Sequence, residues 1–194
     1  VLRILSDASA TIAEGEVLQL TAAANLATTE DIYLQVVRGK TAALFAAACE
    51  VGGVVADADE AQVAALRTYG DALGIAFQMA DDLLDLEGDA GATGKNVGDD
   101  LREGKATLPV LLAFARGGDE DKAFWRRCIE DSDVRDGDVA VAARKVRETG
   151  ALDEAQARAW GFADAARADL AKAPPSTMRD ILDEVVGFTV SRLH

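Results

Sequence analysis

Residues 77–85, Phe77-Gln78-Met79-Ala80-Asp81-Asp82-Leu83-Leu84-Asp85, place three carboxylates within about one helical turn at the end of a long apolar helical pattern. Asp81 and Asp85 are spaced i, i+4, and Asp82 and Asp85 i, i+3, so all three can lean toward one side of a helix. Aspartate is a poor helix former, and like charges at this spacing repel by a few tenths of a kcal/mol per pair. A hard divalent cation would offset that repulsion. Mg²⁺ takes one or two carboxylates, several waters and the phosphate oxygens of a substrate.

The helix carrying this run is expected over about Asp59 to Leu86. The aspartates then sit at its C-terminal end, where the macrodipole disfavours negative charge. Before it, Thr28 or Thr29 caps a helix that runs to about Val51, with Glu30 and Asp31 in its first turn and Gly52-Gly53 as its expected stop. A first helix is expected over about Val1 to Ala27. Residues 87–105 read as a glycine-rich loop holding Lys95 and Lys105. A helix follows from about Thr107 to Arg116, with Pro109 tolerated in its first turn. Four amphipathic stretches, about 119–131, 135–149, 151–172 and 175–193, complete the chain, broken at Gly150 and Pro174-Pro175. No stretch alternates at period two and no repeat is visible. The fold class is therefore all-α, with residues 1–194 forming a single domain.

Composition narrows the chemistry. Half of the 194 residues are apolar, which argues against disorder. Lys plus Arg number 20 against 34 Asp plus Glu, a net charge of −14 that disfavours a nucleic-acid partner. Any phosphate ligand must then meet local cations. The single histidine is His194, so histidine acid–base chemistry and histidine metal sites are not expected. Cys49 and Cys128 make no disulfide framework and read as small core residues of a protein in a reducing cytoplasm. No apolar run is long enough to span a membrane. The chain opens on Val1 directly in a helical pattern with no cap before it, as expected of a chain preceded by further residues.

Lys40-Thr41 lies within an otherwise small and apolar helical stretch. Lys40 can snorkel to water or point its ammonium between two helices. Gln78 shares a helical face with Asp81. Lys95 and Lys105 flank glycines whose backbone N–H groups can approach an anion closely. Together these parts suit a phosphorylated ligand: carboxylates for Mg²⁺, lysines for phosphate oxygens, and apolar helices around a cavity fit for a hydrocarbon.

Five segments carry a resemblance. They are Glu14-Gly15-Glu16-x-x-Gln19, Gly39-Lys40-Thr41, Gly74-x-x-Phe77-Gln78-x-x-Asp81-Asp82-x-x-Asp85, Thr93-Gly94-Lys95 and Gly98-Asp99-x-x-x-x-Gly104-Lys105-x-Thr107-Leu108-Pro109. In order and spacing the chain resembles the trans-isoprenyl diphosphate synthases (polyprenyl synthetases), over residues 14–115 by motif and beyond by helix pattern. The resemblance implies the isoprenoid synthase fold, a bundle of mostly antiparallel helices around a central cavity, and a homodimer. It implies that Asp81, Asp82 and Asp85 form the second aspartate-rich motif, which binds Mg²⁺ bridging to an allylic diphosphate. Lys40, Lys95 and Lys105 would hold that diphosphate. Thr41 and Gln78 would face the reacting carbons, and Gln19 and Asp99 would lie close to the metal. The implied reaction is head-to-tail condensation of isopentenyl diphosphate with an allylic diphosphate, giving a longer polyprenyl diphosphate.

The family's first aspartate-rich motif and its isopentenyl diphosphate site find no match here. They are expected N-terminal to Val1, which makes these residues the C-terminal part of a longer enzyme, inactive alone. Ala42, Ala43, Ala46 and Ala47 would leave room on one wall for a long hydrocarbon. Two other readings share many of the features: a non-catalytic subunit of a heteromeric prenyl synthase, and a class I terpene cyclase.

Overall fold

The computed structural model of the chain describes residues 1–87 and 97–192. Among the described residues every regular element is helical. Helix α1 spans Leu2–Ala22 and α2 spans Glu30–Val37. A π-helical turn, Arg38–Ala42, joins α2 without a break to α3, Ala43–Val55. The long α4 runs Glu60–Glu87. A short α5, Asp99–Arg102, precedes α6, Leu108–Arg116. Helix α7, Asp119–Trp125, ends in a second π turn, Arg126–Glu130. Helices α8, Asp138–Glu148, α9, Ala151–Leu170, and α10, Thr177–Ser191, follow.

Most expected boundaries hold to within a few residues, and Thr29 is the side chain that caps α2, accepting the N–H of Ile32 at 3.3 Å. Three do not. Helix α1 stops at Ala22, five residues early, because Ala24 takes a left-handed φ of 53° and Asn25 folds back to accept the Ala27 N–H at 2.9 Å. The Gly52-Gly53 pair does not stop α3, which continues to Val55. Gly53 serves packing instead: a Cβ there would meet Leu66 at 3.1 Å and Val63 at 3.2 Å on α4. The segment read as a glycine-rich loop contains α5.

Helix α4 is the central post, flanked along its length by α3 and α9. Helix α9 presents Ala151, Ala155, Ala159, Ala163 and Ala166, all buried, at i+4 and i+3 steps. That narrow stripe of small side chains lets it lie close against its neighbours. On α4, Ile75, Met79 and Leu83 repeat every fourth residue and are each at most 2% exposed. They pack with Tyr33, Val37, Leu108 and Leu111 into the cluster beneath the aspartates. Each such side chain contributes roughly 1.5–3 kcal/mol by leaving water. Both cysteines are free, and burial pushes the Cys128 thiol up to about 11, as suits a core residue. No helix among the described residues is long and apolar enough to cross a membrane.

Candidate active site

The site begins with a close approach of two backbones. A Cβ on Gly15 of α1 would lie 2.6 Å from Lys40 N and 2.7 Å from Gly39 C. Only two glycines let α1 cross the Arg38–Ala42 turn at that distance. The π turn inserts one extra residue into the helical register, a feature that recurs at functional sites. One helical turn beyond Gly15, the Gln19 amide oxygen accepts from Lys40 Nζ at 2.9 Å, and Glu16 stands 3.3 Å from the same ammonium.

From Thr41 a chain of hydrogen bonds runs to the aspartates. Thr41 Oγ1 donates to Gln78 Oε1 at 2.9 Å, and Gln78 Nε2 donates to Asp82 Oδ1 at 2.7 Å. Gln78 and Asp82 stand at i, i+4 on α4, so one face of that helix carries the relay. The Tyr33 hydroxyl donates to Asp82 Oδ2 at 2.7 Å. Asp82 is only 5% exposed. Burial pushes its carboxyl up to about 7, with the Asp100 and Asp81 charges adding to the rise and the Gln78 and Tyr33 bonds opposing it. Burial likewise raises the Tyr33 hydroxyl well above its usual range, helped by the Asp82 charge.

Lys105 closes the opposite side. Its Nζ lies 2.7 Å from Asp100 Oδ1 and 2.7 Å from Glu103. Burial works against that ammonium, but the two carboxylate bonds outweigh it and raise its pKa. The Ala24 N–H donates to the Gly104 carbonyl at 3.0 Å, tying this segment to the end of α1.

Gln19, Lys40, Thr41, Gln78, Asp82 and Lys105 all line one pocket of about 100 Å³. The other three described residues singled out from the sequence lie outside that lining. Asp81 is partly exposed. Asp85 accepts the backbone N–H groups of Asp99 and Asp100, each at 3.1 Å. Asp99 pairs with Arg102 at 3.1 Å. Among the described residues, no three acidic or other ligating side chains come together as a metal-holding group. Lys95 lies outside the described residues. Tyr33, Asp100, Glu16 and Glu103 were not foreseen as contacts. Tyr33 and Lys40 do stand at i, i+7, a spacing that can place both on one helical face.

The donor chemistry nevertheless suits a hard divalent cation. Burial and the Asp100 charge also push Asp85 up to about 6, despite the two backbone bonds that oppose the rise. Carboxylates raised in this way by burial and by neighbouring acidic charges are stabilised by an added cation, and hard oxygens are what Mg²⁺ takes.

On the other side of the π turn, a cleft of about 1210 Å³ opens between α1, α3 and α4. Ala43, Ala46 and Ala47 line it. Ala42 does not: it is fully buried against Gly74, whose Cβ would meet Ala42 Cα at 2.6 Å.

The polyprenyl synthetase family model matches residues 1–146. The chain belongs to the polyprenyl synthetase family. It is 40% identical over 192 residues to the octaprenyl diphosphate synthase of Escherichia coli (strain K12), covering 99% of this chain and 59% of that enzyme. It is 39% identical to the all-trans-nonaprenyl-diphosphate synthase (geranyl-diphosphate specific) of Rhodobacter capsulatus, covering 100% of this chain and 58% of that protein. The chain thus spans a little under three fifths of these relatives' length. Among solved structures it superposes on a polyprenyl synthase from Caulobacter crescentus CB15, complexed with calcium and isoprenyl diphosphate. The TM-score is 0.95 and the identity 48%, over 100% of this chain and 59% of that one. A decaprenyl diphosphate synthase from Rhodobacter capsulatus gives a TM-score of 0.93 at 54% identity, covering 100% of this chain and 59% of that structure. The all-α isoprenoid synthase fold expected from the sequence is the fold of these neighbours.

Proposed function

We propose that this pocket binds the diphosphate of an allylic substrate and promotes its ionisation, the first half of head-to-tail prenyl transfer. The observation that carries the reading is the joining of Lys40, Lys105 and the Thr41–Gln78–Asp82 relay in one pocket. The relatives' names and the isoprenyl diphosphate bound by the Caulobacter protein support it.

In this reading the Lys40 and Lys105 ammonium groups, each with three N–H donors, give a donor to phosphate oxygens while keeping Gln19 and Asp100 as partners. Lys95 is proposed to join them. Asp81 and Asp82 would supply protein oxygens to Mg²⁺, which when bound neutralises diphosphate charge and makes it a better leaving group. The allylic C–O bond breaks with its electron pair going to the departing diphosphate. Thr41 Oγ1 and Gln78 Oε1 place oxygen lone pairs where positive charge develops on carbon. The double bond of isopentenyl diphosphate then forms the new C–C bond, and the proton it loses goes to the diphosphate. No histidine base is needed.

Gln19, already bonded to Lys40, orients that ammonium, and Asp99 stands next to the carboxylate run. A homodimer is part of the proposal, supported by Leu2, Leu5, Val17 and Leu20, all exposed on one face of α1. The resemblance implies a second aspartate-rich run on a facing helix, and these 194 residues hold one. We therefore assign them the allylic half of the site and expect no steady-state transfer from them alone.

Calorimetric titration of geranyl diphosphate in Mg²⁺, followed by product analysis after isopentenyl diphosphate is added, tests this. Saturable binding without elongation is expected. Elongated products would overturn the division of labour, and absence of binding would overturn the function.

A further inference from the structure

Asp85 stands apart from its two neighbours in the acidic run. Its Oδ1 accepts the Asp99 N–H at 3.1 Å and its Oδ2 the Asp100 N–H at 3.1 Å. Its own backbone carbonyl accepts the Gly98 N–H at 2.7 Å. These amides open α5. The residue at the N-cap position of that turn is Gly98, in a left-handed conformation at φ 82° and without a side chain to cap with. A carboxylate on α4 therefore does from a distance what an N-cap aspartate does locally: it satisfies the orphan donors of the first turn.

What α5 carries explains why this matters. The Asp100 carboxylate takes Lys105 Nζ at 2.7 Å, and the Asp100 carbonyl accepts the Lys105 N–H at 2.9 Å. Asp100 and Lys105 line the pocket, whereas Asp85 and Asp99 do not. The sequence of contacts is Asp85 to the α5 amides, α5 to Asp100, and Asp100 to Lys105.

We infer that Asp85 is a positioning residue: it caps α5 from α4 and so sets the Lys105 ammonium at the pocket edge, leaving cation binding to Asp81 and Asp82. The capping rests on geometry alone. Its consequence for ligand binding rests on the diphosphate reading above.

The test compares Asp85→Ala, Asp85→Asn and Asp81→Asn in the 194-residue chain. Two quantities are read: solvent exchange of the Asp99 and Asp100 amides by NMR, and pyrophosphate affinity with and without Mg²⁺. Unchanged protection of the Met79 and Leu83 amides controls for folding. Asp85→Ala should accelerate exchange at Asp99 and Asp100 by about tenfold, the scale of a lost N-cap. It should weaken pyrophosphate by the same factor in the presence and absence of Mg²⁺. Asp85→Asn, which keeps one acceptor oxygen, should fall between the alanine variant and the unsubstituted chain. Asp81→Asn should leave both amides unchanged and lower affinity only with Mg²⁺. Unaltered exchange in Asp85→Ala would overturn the capping. Accelerated exchange with unaltered affinity would overturn the positioning, and an affinity loss confined to Mg²⁺ would make Asp85 a metal ligand. If the unsubstituted chain binds no pyrophosphate, the diphosphate reading and the positioning role fall together, and the exchange data still decide the cap.

Discussion

The Tyr33 hydroxyl donates a 2.7 Å hydrogen bond to Oδ2 of Asp82, joining α2 to α4 across 49 residues of sequence. Gln78 fills the other carboxylate oxygen at 2.7 Å. A buried carboxylate left short of one donor is costly, so Tyr33→Phe, which keeps the ring and removes only the hydroxyl, should destabilise the chain by about 1–2 kcal/mol. For a domain of this size that corresponds to a Tm lower by roughly 2–8 °C. An unchanged melting curve would show that the bond adds nothing.

Two glycines should respond in opposite directions to the same substitution. Gly15→Ala places a methyl 2.6 Å from Lys40 N, against backbone that cannot step aside. It should cost about 1–3 kcal/mol and loosen the Gln19–Lys40 bond as α1 moves away. Gly52 is exposed within α3 and a Cβ there meets nothing within 4 Å. Gly52→Ala should therefore stabilise by roughly 0.5–1 kcal/mol. Urea denaturation of both variants checks the pair of signs.

Acid stability has an identifiable contributor away from the pocket. Asp138 takes a two-point contact from Arg127, at 2.8 and 3.0 Å, and the Arg135 N–H at 2.7 Å. The Arg127 bond, aided by the backbone donor, holds its pKa below the usual carboxylate value despite burial. A group depressed on folding stabilises the protein above its unfolded pKa of about 3.9, and that contribution is lost as pH falls through the lower folded value. Asp138→Asn should cost about 1–3 kcal/mol at pH 7. The gap to the unsubstituted protein should close below about pH 4. Unfolding curves between pH 3 and 7 would show it, and a gap constant with pH would contradict it.

The alanine wall of the large cleft makes a prediction about product size. Ala43 lines that cleft without being fully buried. In a prenyl synthase assay of the complete enzyme, Ala43→Phe should shift products toward shorter chains, read by mass spectrometry. An unaltered product distribution would remove the cleft from the path of the growing hydrocarbon.

Much of this was legible in the residues. The apolar helical pattern placed α4 over about Asp59 to Leu86, against Glu60–Glu87 observed. The resemblance carried by Lys40-Thr41, Gln78 and Asp82 anticipated residues that do share a pocket. What stayed hidden depends on registers and on backbone partners. The π turn at Arg38–Ala42 leaves no mark in the apolar pattern, because one inserted residue rotates the helix without changing which residues are apolar. Gly52-Gly53 looks like a stop because glycine pairs usually are. Only the position of α4 reveals Gly53 as a packing contact. The contacts of Asp85 with α5 stayed hidden because they are to backbone amides 14 and 15 residues onward, which side-chain spacing cannot disclose.

In the proposed function Lys40 and Lys105 serve one diphosphate in this pocket. The most direct measurement is the dissociation constant of geranyl diphosphate in Mg²⁺ for the unsubstituted chain, Lys40→Ala and Lys105→Ala, with Lys122→Ala on α7 as a control outside the pocket. Saturable one-to-one binding is expected, weakened about 10- to 100-fold in each pocket variant, the worth of a charge-assisted bond to phosphate, and unchanged in the control. Binding indifferent to both pocket lysines, or equally weakened in the control, would contradict it.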